Sequence, residues 1–108
     1  MIEIVFTKDE KGNYRGFSCH GHAGAGAYGE DIVCAAVSAL TINAVNSLQL
    51  LAHAEFDLET DEEEGLIRVD LASAPDASSL LLLDSLHLGL SSIQKDHADT
   101  MHIRYEEV

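Results

Sequence analysis

The sequence predicts an α+β domain of order ββαββαβ: a mostly antiparallel sheet with two helices packed against it in an α/β sandwich. Three observations carry this. Five short segments alternate apolar and polar residues at strand period, two longer segments repeat apolar residues at helical spacing, and turn-forming residues separate them. The 108 residues fit one domain, 1–108, large enough for a core without disulfide staples.

Segment 2–7 sets Ile2, Ile4 and Phe6 against Glu3, Val5 and Thr7, a strand with one face in the core. Residues 8–13 hold charges and the pair Gly12-Asn13, which suit a hairpin turn. Residues 14–22 read as the returning strand, interrupted by Gly16 and Gly21. A glycine-rich loop follows over 23–30. Segment 32–54 predicts a long helix, with Asp31 as its N-cap or as a first-turn acid complementing the dipole. It is apolar nearly all round from Ile32 to Val45, so cover on more than one side is expected.

Segment 55–71 reads as strand, acidic turn and strand, with the run Asp61 to Glu64 as a solvated tip. The second helix is expected over 72–98, with Pro75 in its first turn and a stripe of Leu80, Leu83, Leu86 or His87, Leu90 and Ile93. A strand over 100–107 closes the chain, Met101, Ile103 and Tyr105 on one face and His102 and Arg104 on the other.

Composition narrows the function. Six Lys and Arg against 19 Asp and Glu leave a net charge of −13. Such a surface repels phosphate backbones, so no direct nucleic-acid binding is expected, and basic partners are favoured. No uninterrupted apolar run reaches the roughly 18 residues of a membrane span. The start, MIEIVFTKDE, has no signal-peptide pattern, so a cytoplasmic protein without membrane association is expected. There a structural disulfide between Cys19 and Cys34 is improbable.

The chemistry concentrates in SCHGHAGAGAYGEDIVCAAVSAL, residues 18–40. Cys34 falls in the expected first helical turn, where unpaired N–H groups and the dipole favour a thiolate. His22, at the end of a strand, is returned towards it by the loop and suits the role of base. Gly24, Gly26 and Gly29 permit backbone shapes that bring a substrate close. Asp31 could orient His22 or cap the helix. Ser38 shares the helix face of Cys34. Two alternatives stay open. One is a buried small hydrophobe at Cys34. The other is a metal site from Cys19, His20, His22 and Cys34, although adjacent Cys19 and His20 face opposite ways in a strand.

Gly21-His22-Ala23, the glycine loop with Tyr28, and Gly29 to Ser38 with its DIVCAAVS core resemble the ribosomal-processing cysteine proteases, the Prp family. The resemblance spans essentially the whole chain. It implies a cysteine endopeptidase with the pair His22 and Cys34, supported by Asp31 and Ser38. It implies a substrate loop of Gly21, Gly24, Gly26, Tyr28 and Gly29 that shifts to admit a peptide. It also implies a homodimer, no cofactor and no metal. The substrate would be the N-terminal extension of a bacterial large-subunit ribosomal protein, the twenty-seventh. The competing expectation is a non-catalytic acidic module that binds a basic ribosomal protein or peptide.

Overall fold

The computed structural model describes residues 1–21 and 30–108, with only the backbone of Glu30 and Asp31. The elements run β1 (Ile2–Lys8), β2 (Tyr14–His20), α1 (Glu30–Leu50), β3 (Phe56–Asp61), β4 (Leu66–Leu71), α2 (Ala77–Asp96) and β5 (Met101–Glu107). This is the expected ββαββαβ order. The strands form one sheet in the order β3-β4-β2-β1-β5. Every pairing is antiparallel except β1 with β5, which are parallel neighbours, and α2 leads from β4 into β5.

Strand alternation gives the sheet two unlike faces. Ile2, Ile4 and Phe6 of β1 stand beside Met101, Ile103 and Tyr105 of β5 and beside Cys19 and Phe17 of β2. Their face takes the helices, and Ile4, Phe6, Met101, Leu83 and Leu90 are fully buried in it. Burying a side chain of this size stabilises the fold by about 1.5–3 kcal/mol. The other face carries Glu3, His20, Arg68, His102 and Arg104, in half-exposed pairs such as Arg68–Asp70 at 3.0 Å and Arg104–Glu3 at 3.8 Å. Pairs this exposed contribute little, about 0–1 kcal/mol each.

A β-bulge between β1 and β2 resets the alternation. Thr7 faces Gly16 but Lys8 faces Tyr14, leaving Arg15 as the extra residue. Tyr14 therefore joins the core face, its ring 5.4 Å from that of Phe6. Burial, then Asp84 and Tyr105, push its phenol above the ordinary value. His87 of α2 meets the Tyr105 hydroxyl, closing this aromatic cluster against β5.

Gly16 does not interrupt β2. A Cβ there would lie 2.1 Å from the Val69 carbonyl oxygen, so glycine is what lets β4 pair at this point.

α1 lies on the sheet through Val33, Val37, Thr41, Ala44, Val45 and Leu48. By length and composition Ile32–Leu50 would pass for a membrane-spanning helix, but here it is the central core helix. Its second neighbour is α2, which it meets where Leu40 fills the space a Cβ on Gly89 would need. The helix stops at Leu50, short of the expected 54. His53 turns left-handed (φ 53°), and the Ala54 N–H returns to the Leu48 carbonyl. β2 likewise ends at His20, two residues short of expectation, because Gly21 (φ 95°) leaves the strand conformation. α2 starts later than expected. Pro75 lies before the helix, and Asp76 is its N-cap, accepting the Ser79 N–H at 2.8 Å.

Two outcomes are expected. Gly16→Ala forces β2 away from the Val69 carbonyl and costs on the order of 1–3 kcal/mol by urea denaturation; unchanged stability would contradict the close approach. The Ser79 N–H holds the Asp76 carboxyl below its ordinary 3.8. A group lowered in this way adds stability above the unfolded value, and that stability is lost as pH falls through the folded one. The Tm gap between wild type and Asp76→Ala is therefore full at neutral pH and closes below 3.8. A gap independent of pH would count against a charged cap.

Candidate active site

The helices leave part of the apolar sheet face open beside α1. A groove of about 440 Å³ runs there, between α1 and the β3–β4 hairpin. One wall is α1, through Cys34, Val37, Ser38, Thr41 and Ile42, which recur at helical spacing on one side. The floor is Ile2, Cys19 and Ile67, and the far wall includes Thr60, Asp61, Glu62 and Leu66. Thr41 is fully buried, with its hydroxyl 2.9 Å from the Val37 carbonyl, so it brings little unmet polarity to the groove. The result is an apolar channel with carboxylates on one rim.

Cys34 is partly exposed in this groove while packing against the core. The helix begins at Glu30, earlier than expected, so Cys34 is its fifth residue, one turn in rather than in the first turn. Asp31 becomes the second helical residue and not the cap. Ser38 is exposed one turn further on and lines the same groove, on the face shared with Cys34.

Cys19 lies beneath, on the helix-facing side of β2. It is 7% exposed, and burial, followed by the nearby Cys34, pushes its thiol up to about 11. His20 points to the opposite face, its Nε2 3.4 Å from Glu64 Oε2. Cys19 and His20 therefore diverge, as alternation requires, and the four-ligand metal reading loses its geometry. Among the described residues no cluster of three or more His, Cys, Asp or Glu is placed to hold an ion.

Gly21 closes β2 at the groove. Its N–H donates to the Glu64 carbonyl at 3.1 Å, and a Cβ would come within 2.5 Å of the Met1 carbonyl oxygen. Only glycine combines that approach with a positive φ. His22, Gly24, Gly26, Tyr28 and Gly29 lie outside the described residues, as does the side chain of Asp31.

Sequence reading missed the far wall. The acidic run expected to be a solvated tip supplies Asp61 and Glu62 to the groove, and the Glu64 backbone tethers Gly21. Nothing in its composition marks it, since only the β4–β2 pairing brings it there.

Residues 1–102 match the family model described as cysteine protease Prp. The chain belongs to the Prp family of cysteine proteases. The ribosomal processing cysteine protease Prp of Bacillus subtilis strain 168 is 27% identical, over 95% of this chain and 96% of that one. A crystal structure of a Streptococcus mutans protein is 33% identical with a TM-score of 0.89, covering 100% of this chain and 96% of the other. The Staphylococcus aureus Prp, crystallised with a covalently linked product peptide, is 26% identical with a TM-score of 0.89, covering 98% of this chain and 100% of that one. Family and fold agree with the resemblance read from DIVCAAVS and with the ββαββαβ order.

Prp chemistry requires an accessible thiol, and the two cysteines differ in this. At pH 8 a thiol with a pKa of about 11 is ionised in about one molecule in a thousand. Iodoacetamide is therefore expected to label Cys34 well before Cys19, followed by peptide mass mapping of the folded protein. Equal labelling would contradict the buried position of Cys19.

Proposed function

We propose that this chain is the endopeptidase that removes a short N-terminal extension from a bacterial large-subunit ribosomal protein, the twenty-seventh. The observation that carries the proposal is the seat of Cys34, partly exposed in an apolar groove of about 440 Å³. The Staphylococcus aureus Prp holding a covalently linked product peptide supports it. So does the charge, because Asp61 and Glu62 on the rim and a net −13 favour the basic chain of a ribosomal protein.

In this mechanism Cys34 is the nucleophile and His22 its base. The Cys34 sulfur attacks the peptide carbonyl beside an apolar residue held in the groove, and His22 takes the thiol proton. Backbone N–H groups at the start of α1, which have no intrahelical partner, stabilise the oxyanion. Collapse to the thioester expels the amine, protonated by His22, which then activates water to release the acid. Asp31 orients His22, and Ser38 hydrogen-bonds the bound peptide next to the thiol. The loop containing Gly21, Gly24, Gly26, Tyr28 and Gly29 opens to admit the substrate. The enzyme works in the cytoplasm as a homodimer, a state supported by Ile32, which α1 leaves 63% exposed outside the groove lining.

A peptide from the N-terminus of the host's own ribosomal protein tests this by mass spectrometry. Wild type is expected to cut one bond, and Cys34→Ala to lose at least about 10⁴-fold in rate with its fold intact. Cleavage by Cys34→Ala would overturn the nucleophile. Peptide bound but uncut by wild type would favour the non-catalytic binding module.

A further inference from the structure

The groove holds two thiols, and the proposed mechanism uses one. Cys34 on α1 and Cys19 on β2 line the same cavity from facing elements, the sheet below and the helix above. They differ in access. Cys34 is partly exposed, whereas Cys19 is buried in the groove floor beside Ile2 and Ile67.

We propose that Cys34 and Cys19 form a peroxide-sensing pair, in which oxidation of Cys34 is captured by Cys19 as a reversible disulfide that closes the active site. The assignment of Cys34 as the reactive thiol rests on the protease reading above.

The chemistry balances in two steps. The Cys34 thiolate attacks a hydroperoxide ROOH. A sulfur–oxygen bond forms, the peroxide O–O bond breaks, and the oxygen that leaves departs as the alcohol or water after taking a proton. The Cys34 sulfenic acid then meets the Cys19 thiol. The sulfur–sulfur bond forms, the S–OH bond breaks, and hydroxide leaves as water with the Cys19 proton. The peroxide is reduced by two electrons and the two thiols are oxidised by two.

The division of roles follows from position. A small peroxide enters the groove and reaches the accessible sulfur first. Cys19, buried and kept protonated, is a poor first target and serves as the resolving thiol. Without it, a sulfenic acid in an open groove proceeds to the irreversible sulfinic acid. A nearby thiol thus preserves the nucleophile, and a cellular dithiol restores it by exchange.

The test treats the reduced full-length protein with hydrogen peroxide and reads intact mass, peptide map and cleavage. Each activity is taken relative to that protein's own reduced form. Wild type is expected to lose two hydrogens, to yield a Cys19–Cys34 linked peptide, and to lose activity that dithiothreitol restores. Cys19→Ala, with Cys19→Val as a second variant that fills the core site, is expected to gain two oxygens at Cys34 and to stay inactive after reduction. Sulfinic Cys34 in wild type without the linked peptide would overturn the proposal, as would equal recovery in Cys19→Ala or Cys19→Val. Failure of the protease reading would show separately, as no Cys34-dependent cleavage by reduced wild type, and leaves the mass readout intact.

Discussion

Two helices must cover the apolar face of five strands, and they do not reach across it. α1 and α2 lie side by side, set by the contact of Leu40 with Gly89, and seal the core over β1 and its neighbours. The β3–β4 hairpin extends the sheet beyond α1 on the other side. The uncovered strip becomes a groove, with Ile67 and Cys19 as floor and α1 as wall. A third helix would have buried that strip and the exposed edge of Cys34 with it.

The same layout makes the two cysteines chemically unlike. Both belong to the groove, but Cys19 hangs from a strand under the helix and Cys34 stands on the helix at the edge of cover. Desolvation penalises the charged form of the buried thiol, so Cys19 behaves as a small hydrophobe at neutral pH. The acidic hairpin shows a comparable contrast. Its side chains carry charge to the groove rim while its backbone, through the Glu64 carbonyl, tethers the turn at Gly21.

Much of this was legible beforehand, for local reasons. Ile2, Ile4 and Phe6 announce a strand face by period two, and Leu83, Leu86 and Leu90 a helix face by period 3.6. The boundaries were less legible. α1 ends where His53 turns left-handed, and α2 waits for Asp76, because end geometry depends on which backbone groups find partners. Gly16 and Gly21 looked alike as interruptions. The fold separates them: one admits a neighbouring strand within β2, the other ends the strand.

By itself the sequence determined the order of elements, the family through DIVCAAVS, and the cysteine and serine that share a helix face, since these follow from spacing along one chain. Tertiary structure alone decided that Cys34 borders a groove, that Cys19 lies in it, and that residues 60–66 form its far wall. Those contacts join positions distant along the chain, across the β2–β4 pairing and the α1–sheet interface. Local periodicity carries no information about such distances, because they are set by how the layers stack.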